Sequence, residues 1–419
     1  MNGHIKQRIT QLNNGEVPSG YKKTEFGTFP CDWITDKKLK DLGAFGKGKG
    51  LPGDKMTTEG VPCVGYGDIY MKYNHFHFEE ARTFVDEETA AESQPIEKGT
   101  LLFSGTGETA EEIGKCICYN GDKTIYAGGD IITFVSNKVV PLFLAYQQYQ
   151  DFSLRKKASF GQGHSVVHIR RENLEKLNVA YPRSVDEQSK ITEILMKWDE
   201  AIELQEKQLD NLKIKKDAIL QRLIKKDDSW LKIGLKDILK ERTEFATKDD
   251  GYPHVTLSKA GVSKKTKQYN RDFLVKSEDK KYKVTRYNDI CYNPANLKFG
   301  VICINKLADE SIFSPIYITY EVNPKYNVDF IGAVLCSNDF IRYIRKYEEG
   351  TVYERQAVKS SDFLRGEIWV PSTKHEQDRI ASIIKKIDDY IETEQQKYNV
   401  LCTQRKALQQ YLLNGIVRV

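Results

Sequence analysis

The sequence predicts an α+β chain: two similar mixed α/β domains joined by two long helices, which pair as an antiparallel coiled coil with pseudo-twofold symmetry. Three observations carry that prediction. The stretch 187–224 aligns without gaps to 376–413, an offset of 189 residues. Apolar residues recur through both stretches at three- and four-residue spacing. Upstream of each lies a set of β-branched and aromatic runs of strand length.

Residues 1–22 hold a brief helical pattern, Ile5–Leu12, followed by a linker of turn formers. The first globular domain spans 23–183. Its runs at 101–105, 115–119 and 130–135 read as strands, a helix follows at Pro141–Phe152, and a last strand at 177–182. The second domain spans 227–372 and repeats the order, with strands at 289–293, 300–305 and 315–322, a helix at Asp329–Arg345 and a strand at 366–371. Pro182 and Pro371 share the 189-residue offset, as do Gly161 and Gly350, while earlier landmarks such as Trp33 and Trp230 drift from it. Insertions therefore fall in the globular parts, and the helical segments 184–226 and 373–419 keep their length.

Each long helix opens on a capping box, Ser184 with Glu187 and Thr373 with Glu376, which supplies a hydroxyl to the free N–H groups of the first turn. The first seam is Ile191, Leu195, Trp198, Ile202, Gln205, Leu209, Leu212, Lys216, Ile219 and Leu223. The second is Ile380, Ile384, Ile387, Ile391, Glu394, Tyr398, Leu401, Arg405, Leu408 and Leu412. Its polar members sit at equivalent places, Gln205 with Glu394 and Lys216 with Arg405. An antiparallel register sets Gln205 against Arg405 and Lys216 against Glu394. A parallel one opposes two cations, so electrostatics favours antiparallel. A solvated edge at these positions remains the alternative. Each helix runs roughly 33 residues, about 50 Å at 1.5 Å per residue, against ~34–36 Å for one DNA turn.

Composition narrows the classes. Hydrophobic content is 40%, that of an ordinary core-forming chain. The longest apolar stretch, around 139–146, falls far short of the ~20 residues of a membrane span. The first residues lack the apolar core of a secretory signal, so a cytoplasmic location and no membrane association are expected. The eight cysteines form no C-x-x-C pair, so they predict neither a metal site nor a disulfide framework, and Cys116 and Cys118 are expected on one face of a strand. A net charge of +5, from 64 basic and 59 acidic residues, permits nucleic-acid binding without demanding it.

Catalytic motifs are near misses. The stretch 43–50 (GAFGKGKG) resembles a phosphate loop, but Gly50 stands where Ser or Thr should hold the metal, which favours a loop offering cations to DNA phosphate or a plain turn. Phe103–Gly107 imitates a glycine motif for S-adenosylmethionine, and Tyr292–Ala295 imitates a motif that holds an adenine amine. They fall at equivalent places of different repeats, so they read as two versions of one structural loop. No catalytic residue is assigned.

Base reading needs donors and acceptors, with cations to position the backbone. In the first domain the candidates are Lys47, Lys49, Tyr66, Tyr70, Lys72, Lys156, Lys157, Gln162 and His164. In the second they are Lys259, Lys264, Lys265, Lys267, Asn270, Lys298, Tyr353 and Arg355, with the loop 258–271 the densest in polar and basic groups.

The two helical stretches, EQSKITEIL…LQRLI and EQDRIASII…LQQYLL, the segment 20–33 (GYKKTEFGTFPCDW) and the segment 59–70 (EGVPCVGYGDIY) give the chain a family likeness. It resembles the specificity subunits of type I restriction–modification systems over nearly its full length. The resemblance implies two target-recognition domains, each reading half of a bipartite double-stranded DNA site. It implies helices that set the spacing and dock modification (methyltransferase) subunits, two of them expected. A restriction (translocase) subunit would join for cleavage. The chain itself would be non-catalytic and hold no cofactor, S-adenosylmethionine being expected in the modification subunit. A coiled-coil scaffold displaying two protein-binding domains, or a stand-alone DNA-modifying enzyme, are the alternatives.

Overall fold

The computed structural model describes residues 3–73, 76–163, 166–247, 250–259, 261–264, 281–307, 309–348 and 356–419. They form two compact units: Met1–Gln205 with Lys397–Val419, and Glu206–Gln396. The boundary falls inside both long helices, Val185–Leu223 and Lys374–Leu413. Each unit thus combines one globular part with the start of one long helix and the end of the other.

In the first unit a five-stranded sheet runs in the order Gly43–Lys47, Ile131–Ser136, Thr100–Ser104, Cys116–Tyr119, His77–Phe78. Its central strands Thr100–Ser104 and Cys116–Tyr119 are buried along their whole length because both faces are covered. Alternate residues point to opposite faces. Leu101, Phe103, Cys116, Cys118 and Phe134 join the core with the helix Pro141–Gln147 and with Ile191, Leu195, Leu412 and Leu413 of the long helices. Leu102, Ile117, Tyr119 and Ile131 face a second core with Val64, Ile69 and Ile125. Cys116 and Cys118 therefore do share a strand face, as two small apolar side chains.

The stretch 43–50 is not the predicted loop. Gly43–Lys47 is an edge strand paired with Ile131–Ser136. A Cβ at Gly43 would lie 2.0 Å from the Val135 carbonyl oxygen, and one at Gly48 1.7 Å from that of Gly128. These glycines answer to close backbone approach, not to a phosphate.

The chain's ends meet in this unit. The helix Gly3–Asn13 places Arg8 where its guanidinium donates to the Ile416 carbonyl. Tyr21 Oη donates to the Gly415 carbonyl at 2.5 Å. Gly415 has φ +64°, and a Cβ there would meet the Pro30 ring at 2.5 Å. Arg418 pairs with Asp32 at 2.8 Å and Glu187 at 2.5 Å. Gly415→Ala should therefore unseat the tail and cost about 1–3 kcal/mol, read as a lower thermal midpoint.

The second unit repeats the sheet order: Leu239–Glu241, Ile318–Val322, Ile290–Tyr292, Ile302–Ile304. The same alternation holds. Ile290 and Tyr292 face the core that contains Phe330, Ile380 and Ile384, while Cys291 faces Val255 and Leu257 of a hairpin. Outside each sheet the segment leading into the long helix pairs with an early strand, Asn178–Tyr181 with Ile34–Lys38 and Glu367–Pro371 with Trp230–Gly234.

Two predicted helices are each broken in two. Pro141–Phe152 is resolved into Pro141–Gln147 and Asp151–Phe160, and 329–345 into Val328–Leu335 and Asn338–Ile344. In the second case Ser337 starts a new helix by accepting from Phe340 N at 3.2 Å. The capping boxes are half formed. Ser184 and Thr373 accept from the N–H groups of Glu187 and Glu376, both at 3.3 Å, but those carboxylates bind Arg418 and Arg379 instead.

Within each unit the long helices run antiparallel, as predicted. In the first, Asp199 pairs with Arg405 at 2.7 Å; in the second, Lys216 pairs with Asp388. Asp199 and Asp388 share the 189-residue offset, as do Lys216 and Arg405, so the two ion pairs are equivalents. Their register corrects the predicted one. Each basic residue takes a partner six positions earlier than expected, Asp199 in place of Gln205 and Asp388 in place of Glu394. A seam counted only at apolar spacing passes over Asp199, which flanks Trp198. Glu394 is buried and accepts from Gln208 at 3.4 Å. Most seam residues are buried or half-buried, but Ile219 is 39% exposed, and Leu220, Leu223 and Ile224 pack in its stead.

Candidate nucleic-acid interface

A cleft of about 690 Å³ opens on the first unit where three distant stretches meet. One wall is the end of the edge strand, with Gly46 and Lys47. The floor is Gly105, Gly129 and Asp130, and the other wall runs from Gln162 through His168 to Arg171. Backbone bonds build it. Gly105 N donates to the Asp130 carbonyl at 2.8 Å, and Ile169 N to the Gly105 carbonyl at 3.0 Å. Thr106–Gly107 and Val167–His168 form a short antiparallel ribbon, and Gln162 and His168 exchange backbone bonds at 3.1 and 2.9 Å. Ile169 and Val167 are buried in the main core, which holds the ribbon from beneath.

Apart from Ile132 and Ile169, the side chains that line the cleft are polar. Thr106 Oγ1 and His168 Nδ1 lie 3.3 Å apart. Arg171 pairs with Glu175 at 2.7 Å and stacks over Phe45, so it braces the wall. Among the described residues, the Arg170 and Lys47 side chains have no ion-pair partner, and both residues are exposed.

One of the backbone bonds that build the cleft recurs in the second unit. Val358 N donates to the Pro294 carbonyl at 3.3 Å. Gly105 and Pro294 share the 189-residue offset, as do Ile169 and Val358. The two methyltransferase-like stretches are thus one structural loop in two copies.

The sequence-predicted contact residues separate into groups. Lys47, Lys49, Tyr66, Lys156, Gln162, Lys259 and Lys264 are exposed. Lys47 and Gln162 come together in the cleft, while Lys156 lies at another depression with Glu25 and Asp151. Lys259 and Lys264 belong to the hairpin Val255–Ser258 and Gly261–Lys264 and the turn between its strands. Lys298 is half-buried with its ammonium over Phe299. Three others have structural work. Lys72 pairs with Asp68 at 2.9 Å and donates to Thr83. Tyr70 Oη donates to the Glu112 carbonyl at 3.2 Å, and burial raises its phenol. Lys157 is not a DNA contact: it is 1% exposed and donates to the Gly114 carbonyl at 2.9 Å. Burial pushes its ammonium down to about 8. His164, Lys265, Lys267, Asn270, Tyr353 and Arg355 lie outside the described residues. The cleft also takes in His168, from the polar loop beside Gly161–Gly163, and Arg170, which the sequence pattern did not single out. A run of exposed polar residues around Gly161–Gly163 was the available signal.

Among the described residues, no helix is long and apolar enough to cross a membrane.

Comparison with known proteins places this architecture. Residues 30–213 match the family described as the type I restriction modification DNA specificity domain. Over 95% of its length the chain is 23% identical to a putative type I restriction enzyme MjaX specificity subunit from Methanocaldococcus jannaschii, covering 97% of that protein. In fold it is similar to the S subunit of a type I restriction-modification system from M. genitalium, with a TM-score of 0.52 and 14% identity, covering 91% of this chain and 96% of that one. It is also similar to a chain from a structure concerned with complex assembly and conformational transition of the type I R-M system. That likeness has a TM-score of 0.55 and 11% identity, over 96% of this chain and 100% of the other.

Proposed function

We propose that this chain, whose residues 30–213 match the type I restriction modification DNA specificity domain, is the subunit that reads a bipartite DNA site for a methyltransferase partner. Each globular part reads one half-site. The antiparallel helices set the gap between the halves and dock the modification subunits, two per chain, which hold S-adenosylmethionine. A restriction subunit joins for cleavage.

The observation that carries this reading is the repeat of one design in both units. Two units carry the same sheet order, the same anchored loop and the same interhelical ion pair. A chain that repeats its frame while its globular sequences diverge is suited to two separate readings at a set spacing.

The test is a swap. Replacing residues 230–370 with those of a relative, in cells that carry the modification subunit, should change one half of the methylated motif and leave the other half and the gap intact. An unaltered motif, read by methylome sequencing, would sink the proposal. Inserting seven residues into both helices should lengthen the gap by about three base pairs, since seven residues add ~10 Å and each base pair ~3.4 Å.

A further inference from the structure

We infer that the ribbon of Thr106–Gly107 and Val167–His168, with Gln162 and Arg170 beside it, is the element by which the first domain reads base edges. The inference rests on the specificity-subunit reading and adds which side chains do the reading. Gln162, Val166, His168 and Arg170 are all exposed, Val166 at 47%. An amide, an imidazole, a guanidinium with no ion-pair partner and a branched apolar side chain stand together on one exposed face. That is the chemistry of a base-reading surface. Arginine matches the two acceptors of guanine, glutamine the donor and acceptor of adenine, and a branched methyl the thymine methyl. A two-stranded ribbon is one of the shapes that the major groove admits.

Preorganisation supports the assignment. The ribbon is tied to the central sheet by the Ile169–Gly105 and Gly105–Asp130 backbone bonds, and its inner residues are buried. The exposed side chains therefore stand on a rigid base rather than a free loop. Across the cleft, Lys47 ends the edge strand, exposed and with its ammonium group available to a phosphate. One of the two anchoring backbone bonds recurs in the second domain, from Val358 N to the Pro294 carbonyl.

The experiment is selection of the full chain on a randomised duplex library, followed by binding measurements on the enriched site. Arg170→Ala and Gln162→Ala should each abolish preference at one position, a loss of about five- to a hundred-fold in discrimination. Both positions should fall in the half-site that the 230–370 swap leaves unchanged. Lys47→Ala should instead weaken all sequences alike and reduce the salt slope by about one. If the first two variants keep every base preference, or lose preference in the other half-site, the assignment is wrong while the specificity reading stands. If the unmodified chain enriches no sequence at all, both fall. All three residues are exposed, and matching thermal melts for the variants would show that altered selection is not misfolding.

Discussion

Asp199→Ala should destabilise the first unit by about 3–5 kcal/mol, whereas the equivalent Asp388→Ala should cost about 1 kcal/mol or less. The two carboxylates occupy the same place in the repeat, and burial separates them. Asp199 is 4% exposed and accepts from Arg405 Nε at 2.7 Å and from Tyr146 Oη at 2.7 Å. Arg405 is itself buried, with its guanidinium carbon 4.1 Å from the centroid of the Phe76 ring and its second nitrogen bonded to Gln409. Removing the carboxylate leaves a guanidinium desolvated among aromatic rings and a phenol without its acceptor. Lys216 and Asp388 are 32% and 47% exposed in their side chains, so water replaces either partner.

Chemical denaturation of each variant checks the contrast. The double variant Asp199→Leu with Arg405→Met should recover much of the loss, because it removes the stranded charge as well as the bond. Equal losses for Asp199→Ala and Asp388→Ala would show that burial is not the deciding term.

The second large effect belongs to Lys157. Its ammonium falls from an ordinary 10.5 to about 8 on folding, mainly through burial. Between those values the unfolded chain keeps a proton that the folded chain has lost, so stability rises with pH across that window. Below about pH 8 the folded state bears the full cost of a buried cation, roughly 3 kcal/mol for a shift of that size. Lys157→Met removes the titration and leaves the Gly114 carbonyl without its donor. Relative to this variant, the wild-type chain should therefore gain roughly 2–3 kcal/mol between pH 8 and pH 10. Urea melts of both proteins at intervals across the window measure the difference directly. The buried thiols and phenols nearby titrate in both and largely cancel. A constant difference from pH 7 to pH 10 would show that Lys157 does not titrate on folding.

Helical periodicity, the 189-residue repeat, the strand runs at the centre of each sheet and the antiparallel sense of the helices were all legible in the sequence. Each rests on residues near one another in the chain or on a pattern compared with its own copy. Local backbone geometry turns such spacing into a face, and a face into a partner. The edge strand at Gly43–Lys47 was not legible, because it answers to a strand almost ninety residues away, whereas the helix break at Ser337 is a local cap that the apolar periodicity passed over.

The same distinction governs the charges. The sequence by itself determined that Lys216 and Arg405 need acidic partners across an antiparallel pair, since two opposed cations repel in any fold. Only the tertiary structure decided which acids answer them, that Arg405 is sealed under Phe76 and Tyr146 while Lys216 keeps contact with water, and that Lys157 faces inward beside an exposed Lys156. It also assembled Lys47, Asp130, Gln162 and Arg170 into one cleft. The free energy of a charge depends on what closes over it, and segments distant in sequence make that closure: Lys157 and Gly114 stand 43 residues apart, and Arg405 and Phe76 several hundred.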